Sequence, residues 1–161
     1  MATFYVSKTG NDSNNGMSEG TAVLTIGAAE ALVDAAVGFG IATNTISIGD
    51  GTYTESVVYT GNNCTFTSTS QDRTKVIITQ SSEPTFKLNE DSTGNVFKHL
   101  TIQNTSTSQN DSGIWGGADS GDDWASYTVE DCIFDCALEA IRFAHACTIK
   151  RTKFLINNAT N

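Results

Sequence analysis

The sequence predicts an all-β fold: a parallel β-solenoid of short stacked strands, closed on its N-terminal side by one helix. Two observations carry this. The first is a repeat. Residues 96–102, 128–134 and 148–154 superimpose without gaps. Down the columns, Phe97, Val129 and Ile149 are apolar, Leu100, Cys132 and Thr152 are compact, and Ile102, Phe134 and Phe154 are large and apolar. Between them Lys98, Glu130 and Lys150 alternate in sign, and His99, Asp131 and Arg151 run titratable, negative, positive. Equivalent positions of stacked parallel strands lie about 4.8 Å apart, so like residues pile up inside and opposite charges pair outside. The second observation is punctuation: short apolar runs recur between Asn, Gly, Ser and Asp clusters, and proline occurs once.

Taken in order, residues 4–6 read as a strand. The turn-rich segment 9–16 follows, rich in Asn, Asp and Gly. Its oxygens suit a cation, but Asp12 is its single carboxylate, so it is read as a loop. Residues 25–37 are the one clear helix: Ile26, Ala29, Leu32, Val33 and Ala36 recur at helical spacing. Thr25 caps its start, and Gly38 and Gly40 follow its end. An amphipathic helix placed here is the lid that the first coil of a solenoid needs. Short strands are then expected at 46–48, 57–59, 64–66, 76–78 and 86–88, with a turn at 49–53.

Coil lengths follow from the columns. Ile78 to Ile102 is 24 residues and Phe134 to Phe154 is 20, but Ile102 to Phe134 is 32. The excess is read as an insertion loop at 105–126, which carries both tryptophans and four aspartates. The organisation is thus one domain, 1–161: strand, loop and helical cap over 1–40, and coils over 41–161.

Composition narrows the partners. The chain has 161 residues and a net charge of −9, with a sequence pI near 4.4. Such a surface repels phosphate backbones, so no nucleic acid is expected. No apolar run approaches the roughly 20 residues of a membrane helix, and no signal-peptide pattern opens the chain. Synthesis in a cytoplasm and no membrane association are therefore expected. Cys64, Cys132, Cys136 and Cys147 lack metal-site spacing and are expected as free thiols, buried where they fall in inward columns.

The N-terminal third carries a family likeness. Phe4-Tyr5-Val6-Ser7 leads into Gly10-Asn11-Asp12-Ser13-Asn14-Asn15-Gly16, then the helix from Leu24-Thr25-Ile26, then Ile46-Ser47-Ile48-Gly49-Asp50-Gly51-Thr52-Tyr53. This resembles the opening of single-stranded right-handed parallel β-helix proteins of the pectate-lyase-like type. The resemblance implies a right-handed parallel β-helix of about five to six coils, with an N-terminal capping α-helix. It implies no single function, since the family spans polysaccharide lyases and hydrolases, tailspikes, adhesins and virion decoration proteins.

Candidate site residues divide into two groups. Lys98, His99, Glu130, Asp131, Lys150 and Arg151 form the expected structural ion ladder, which removes His99 and Asp131 from the catalytic candidates. Trp115, Trp124 and Asp111 are the expected binding residues, suited to a glycan or a protein partner. Enzyme chemistry would need clustered acids, which Asp111, Asp119, Asp122 and Asp123 of the insertion or Glu130, Asp131 and Asp135 could supply, with Arg142, Arg151 or Lys153 as a cation; Asp119, Asp122 and Asp123 are the set kept for the enzymatic alternative. No metal site and no cofactor are expected. The reading is a non-catalytic structural protein of a virus or phage particle, such as a capsid decoration (cement) protein or short spike. It would act in the virion, after synthesis in the host cytoplasm, as a homotrimer within a larger assembly. A polysaccharide lyase or hydrolase, or a glycan-binding module, is the alternative.

Overall fold

The repeat columns become strand register. The computed structural model describes residues 1–38, 43–108, 110–117, 125–142 and 144–156. Its strands are β1 (Ala2–Val6), β2 (Asn44–Ile48), β3 (Gly51–Thr54), β4 (Val57–Tyr59), β5 (Cys64–Ser68), β6 (Val76–Gln80), β7 (Phe86–Leu88), β8 (Asn95–Lys98), β9 (Thr101–Asn104), β10 (Ser112–Trp115), β11 (Ser126–Glu130), β12 (Ile133–Cys136), β13 (Glu139–Arg142), β14 (Ala146–Lys150) and β15 (Lys153–Ile156). The helix α1 spans Ile26–Gly38.

The fold is predominantly β, with three parallel sheets. The first has the order β1-β2-β5-β8-β11-β14, the second β3-β6-β9-β12-β15, and the third β4-β7-β10-β13. From β2 onward the chain visits the three sheets in turn, and each strand pairs with the strand three places later. Phe97, Val129 and Ile149 are direct partners, as are Lys98, Glu130 and Lys150. Ile102, Phe134 and Phe154 are likewise in register. The column extends further back than the sequence repeat: Phe4, Ile46 and Phe66 precede Phe97.

Alternation puts one member of each pair of neighbours into a shared core. Phe66 and Phe97 stack at 5.2 Å between ring centroids, and Phe86 meets Phe97 edge-on at 4.8 Å. Such pairs add about 0.5–1.5 kcal/mol each beyond their burial. At β14 and β15 the inward column comes to the surface. Ile149 is 46% and Phe154 43% exposed, although Val129 and Phe134 behind them are fully buried. Among the described residues no strand lies against the outer edges of β14 and β15.

The helix is seated by side chains from both flanks. Asp12 Oδ1 accepts the Leu24 and Thr25 N–H groups at 2.8 and 2.9 Å. Thr25 Oγ1 accepts the Ala28 N–H at 3.1 Å, and Glu55 accepts from Ile26 and Gly27 at 3.1 Å each. The lone carboxylate of the 9–16 loop is thus committed to the helix start, where orphan N–H groups and the helix dipole favour it. α1 buries Ile26, Ala29 and Val33 and packs on β1, β2 and β4.

Two expectations change. Residues 49–53 were expected to turn, but Gly51–Thr54 pairs with β6 as a strand; only Gly49 and Asp50 make the bend. The 105–126 segment is not loop throughout. Ser112–Trp115 forms β10, paired with β7 and β13 in the third sheet. Asn104, fully buried, holds the corner leading into it. Its amide donates to the carbonyls of Glu83 and Ser112 at 2.8 and 3.1 Å, and its oxygen accepts the Ser106 N–H at 3.0 Å.

Candidate functional site

The connections β8–β9, β11–β12 and β14–β15, between the first and second sheets, take two residues each. The first of them is left-handed: His99, Asp131 and Arg151 have φ of 54°, 51° and 46°. The second points inward, where Leu100 and Cys132 are fully buried. The left-handed residue turns the chain and throws its side chain outward. Non-glycine residues there carry a conformational cost, lowest for Asn and Asp. The corners also bond to one another, His99 N–H to the Glu130 carbonyl at 3.2 Å and Asp131 N–H to the Lys150 carbonyl at 3.0 Å.

These outward side chains form the ladder. Lys98 Nζ lies 2.8 Å from Glu130 Oε2. Arg151 donates from Nε to Asp131 Oδ1 and from a terminal nitrogen to Asp131 Oδ2, each at 2.8 Å. The same terminal nitrogen also reaches Glu130 Oε1. His99 Nε2 is 3.8 Å from Asp131 Oδ2, and its Nδ1 is 3.4 Å from Thr67 Oγ1. Among the described residues, Lys98 therefore pairs with Glu130 from β8, and on the β14 side it is Arg151, not Lys150, that does so. The bond from Lys98, then that from Arg151, holds the Glu130 carboxyl below its usual range, and hydrogen bonding by Arg151 does the same for Asp131. Arg151 is held more firmly protonated in return.

Beside the ladder is an open cleft of about 490 Å³ lined by Gln71, Asp72, Arg73, His99 and Asp131. Arg73 donates to the Arg151 carbonyl at 2.9 Å, which ties the cleft wall to the last corner. Chemically the cleft offers one imidazole, one guanidinium and the carboxylates of Asp72 and Asp131. Both oxygens of Asp131 are engaged by Arg151, which makes that carboxylate a weak proton acceptor toward anything in the cleft.

The other candidates sit elsewhere. Trp115 lies on the outer face of the third sheet, in register between Lys87 and Arg142. It is only 7% exposed. The Arg142 guanidinium sits 5.2 Å from its ring centroid, and its indole N–H donates to the Gly117 carbonyl. Asp111 is buried and accepts the Ser106 hydroxyl. Trp124, Asp119, Asp122 and Asp123 lie outside the described residues. Among the described residues, no three or more His, Cys, Asp or Glu side chains gather as metal ligands. The thiols of Cys64, Cys132 and Cys136 are free and buried, and Cys147 is free and half-buried. Burial pushes the Cys132 thiol up to about 11.

A second cleft, of about 400 Å³, escaped the sequence reading. Tyr5, Glu19, Asp50, Thr69 and Ser70 line it. Ser70 donates to Asp50 Oδ1 at 2.7 Å. Its residues come from four separate segments, so no local spacing announces it.

Comparison with protein-family models, with curated proteins and with solved structures returned no match.

Proposed function

We propose that the chain is a right-handed parallel β-helix of about five to six coils, of the pectate-lyase-like kind, working as a non-catalytic structural protein of a virus or phage particle. The observation that carries the non-catalytic part is the mutual commitment of the ladder. Asp131, which lines the cleft, is held by Arg151, and Glu130 beside it by Lys98 and Arg151, while Asp72, the other acid of the lining, accepts the Thr74 N–H and hydroxyl. Groups used up in this way specify strand register rather than move protons.

The structural part rests on the surface. Leu138, Ile149, Phe154 and Val58 are large apolar side chains left 41–50% exposed, which favours contact with neighbouring subunits. A capsid decoration (cement) protein or short spike, trimeric and held through its flanks and ends, fits that surface and the net charge of −9. The virion is its place of action in this reading.

The second reading is a polysaccharide lyase or hydrolase, or a glycan-binding module. The cleft containing His99, Arg73 and Asp131 is the observation in its favour. Assay of the purified chain against polysaccharides separates the readings. No cleavage is expected. Cleavage that disappears in His99→Gln, or in Asp122→Asn with Asp123→Asn, would replace the structural reading with the enzymatic one.

A further inference from the structure

We propose that the open edges of β14 and β15 receive an extended segment of a partner protein, apolar on its inward side and acidic on its outward side, as one further layer of the stack. The two ends of the sheets differ. At the N-terminal end the outer edge of β1 is satisfied: the Tyr5 N–H donates to the Gly16 carbonyl at 2.8 Å, the Val23 N–H to the Tyr5 carbonyl at 2.9 Å, and the Ser7 N–H to the Val23 carbonyl at 2.9 Å. α1 packs beside it on β1, β2 and β4. At the other end no described strand pairs with the outer edge of β14 or β15. Edge N–H and C=O groups of that kind are a template for an added strand. The apolar columns surface at the same place, at Ile149 and Phe154.

Charge specifies the occupant. Residues 139–156 hold four of the chain's nine Lys and Arg residues and one of its 18 Asp and Glu residues. Glu130 and Asp131, the acids of the preceding layer, are already engaged by Lys98 and Arg151. The ammonium groups of Lys150 and Lys153 are exposed and make no hydrogen bond or ion pair among the described residues. Stacked positions lie about 4.8 Å apart, so a carboxylate on an added strand beside Lys150 continues the alternation of Lys98, Glu130 and Lys150. A large apolar residue beside Phe154 continues the stack in which the Phe134 and Phe154 rings lie 5.2 Å apart. The required pattern is the one that β11 and β12 present to the opposite edges of β14 and β15: Val129, then Glu130 and Asp131, then Phe134.

A second copy of the chain fits this edge poorly. Two such ends face to face set Lys150, Arg151 and Lys153 of one copy against the same cations of the other, and lysines on an edge discourage self-pairing. A copy stacked head to tail brings α1 and the satisfied edge of β1, which offers β14 no strand to pair with. The inference deepens the structural reading by naming the chemistry of one neighbour, and it rests on that reading for there being a neighbour.

The test uses the whole chain and a fluorescent synthetic peptide copying residues 126–136 with Cys132→Ser and Cys136→Ser. Saturable binding by anisotropy is expected, with added hydrogen-exchange protection within residues 146–156. The same peptide carrying Glu130→Lys and Asp131→Lys should bind about tenfold or more weakly, and the gap should narrow in about 1 M salt. Lys150→Gln with Lys153→Gln in the chain should weaken the acidic peptide severalfold while the circular dichroism spectrum holds. No binding, equal binding of the two peptides, or protection outside 146–156 would overturn the proposal. So would a chain whose own oligomer breaks up as the peptide binds, because a second copy then occupies this edge. A monomeric chain that binds the peptide here contradicts the trimer alone, and a trimer that does not bind it contradicts this inference alone.

Discussion

Arg151 holds Asp131 in a fork of two 2.8 Å hydrogen bonds, and both residues occupy left-handed corners of adjacent strands. The same backbone conformation that turns the chain also aims the two side chains outward and alongside each other. Charge order and corner geometry are therefore one device. It favours the register in which β11 and β14 pair.

Backbone and charge can be separated at Asp131. Asp131→Asn keeps a residue that tolerates the left-handed region but removes the ion pair. A small fall in melting temperature is expected, shrinking in about 1 M salt, where charges are screened beyond about 3 Å. Asp131→Val puts a β-branched residue at φ 51° and should cost more, with no salt relief. Thermal melts at low and high salt make the comparison.

Acid should weaken the ladder. The folded carboxyls of Glu130 and Asp131 lie below their ordinary values of 4.5 and 3.8. Their contribution is present above those values and lost as pH falls through the depressed folded ones. Acid titration of wild type and Asp131→Asn, followed by circular dichroism, should show a shallower loss in the variant.

The helix start depends on borrowed carboxylates. Glu55→Ala leaves the Ile26 and Gly27 N–H groups without their acceptor, and Asp12→Ala does so for Leu24 and Thr25. Each should destabilise the protein by about 1 kcal/mol, the usual size of a lost cap. Urea denaturation measures this.

Core and corner differ in how they fail. Phe97→Ala empties the centre of the aromatic cluster and should cost about 3–5 kcal/mol. Asn104→Ala strips partners from two carbonyls and one N–H, with an expected cost of about 1–3 kcal/mol. Denaturation midpoints should rank the two in that order.

The sequence made some of this legible and hid the rest, for physical reasons. The columns at Phe97, Val129 and Ile149 were readable because parallel stacking imposes the same environment on each copy, so like residues recur. β10 was hidden because Ser112-Gly113-Ile114-Trp115 has one aliphatic inward residue amid a polar, glycine-rich stretch. β3 was hidden because Gly51 and Thr52 resemble turn residues. The corner role of His99, Asp131 and Arg151 left a trace, a single outward titratable position before each compact inward residue. That trace reports charge pairing without revealing the left-handed backbone. Trp115 looked like a ligand platform by type, but its burial under Arg142 depends on the register of three distant strands.

Solution mass by light scattering tests the structural account most directly. Three copies of the 17.1 kDa chain in one particle, stable on dilution, is the result expected of a subunit that assembles through its exposed apolar side chains. A single 17.1 kDa species at every concentration would contradict it.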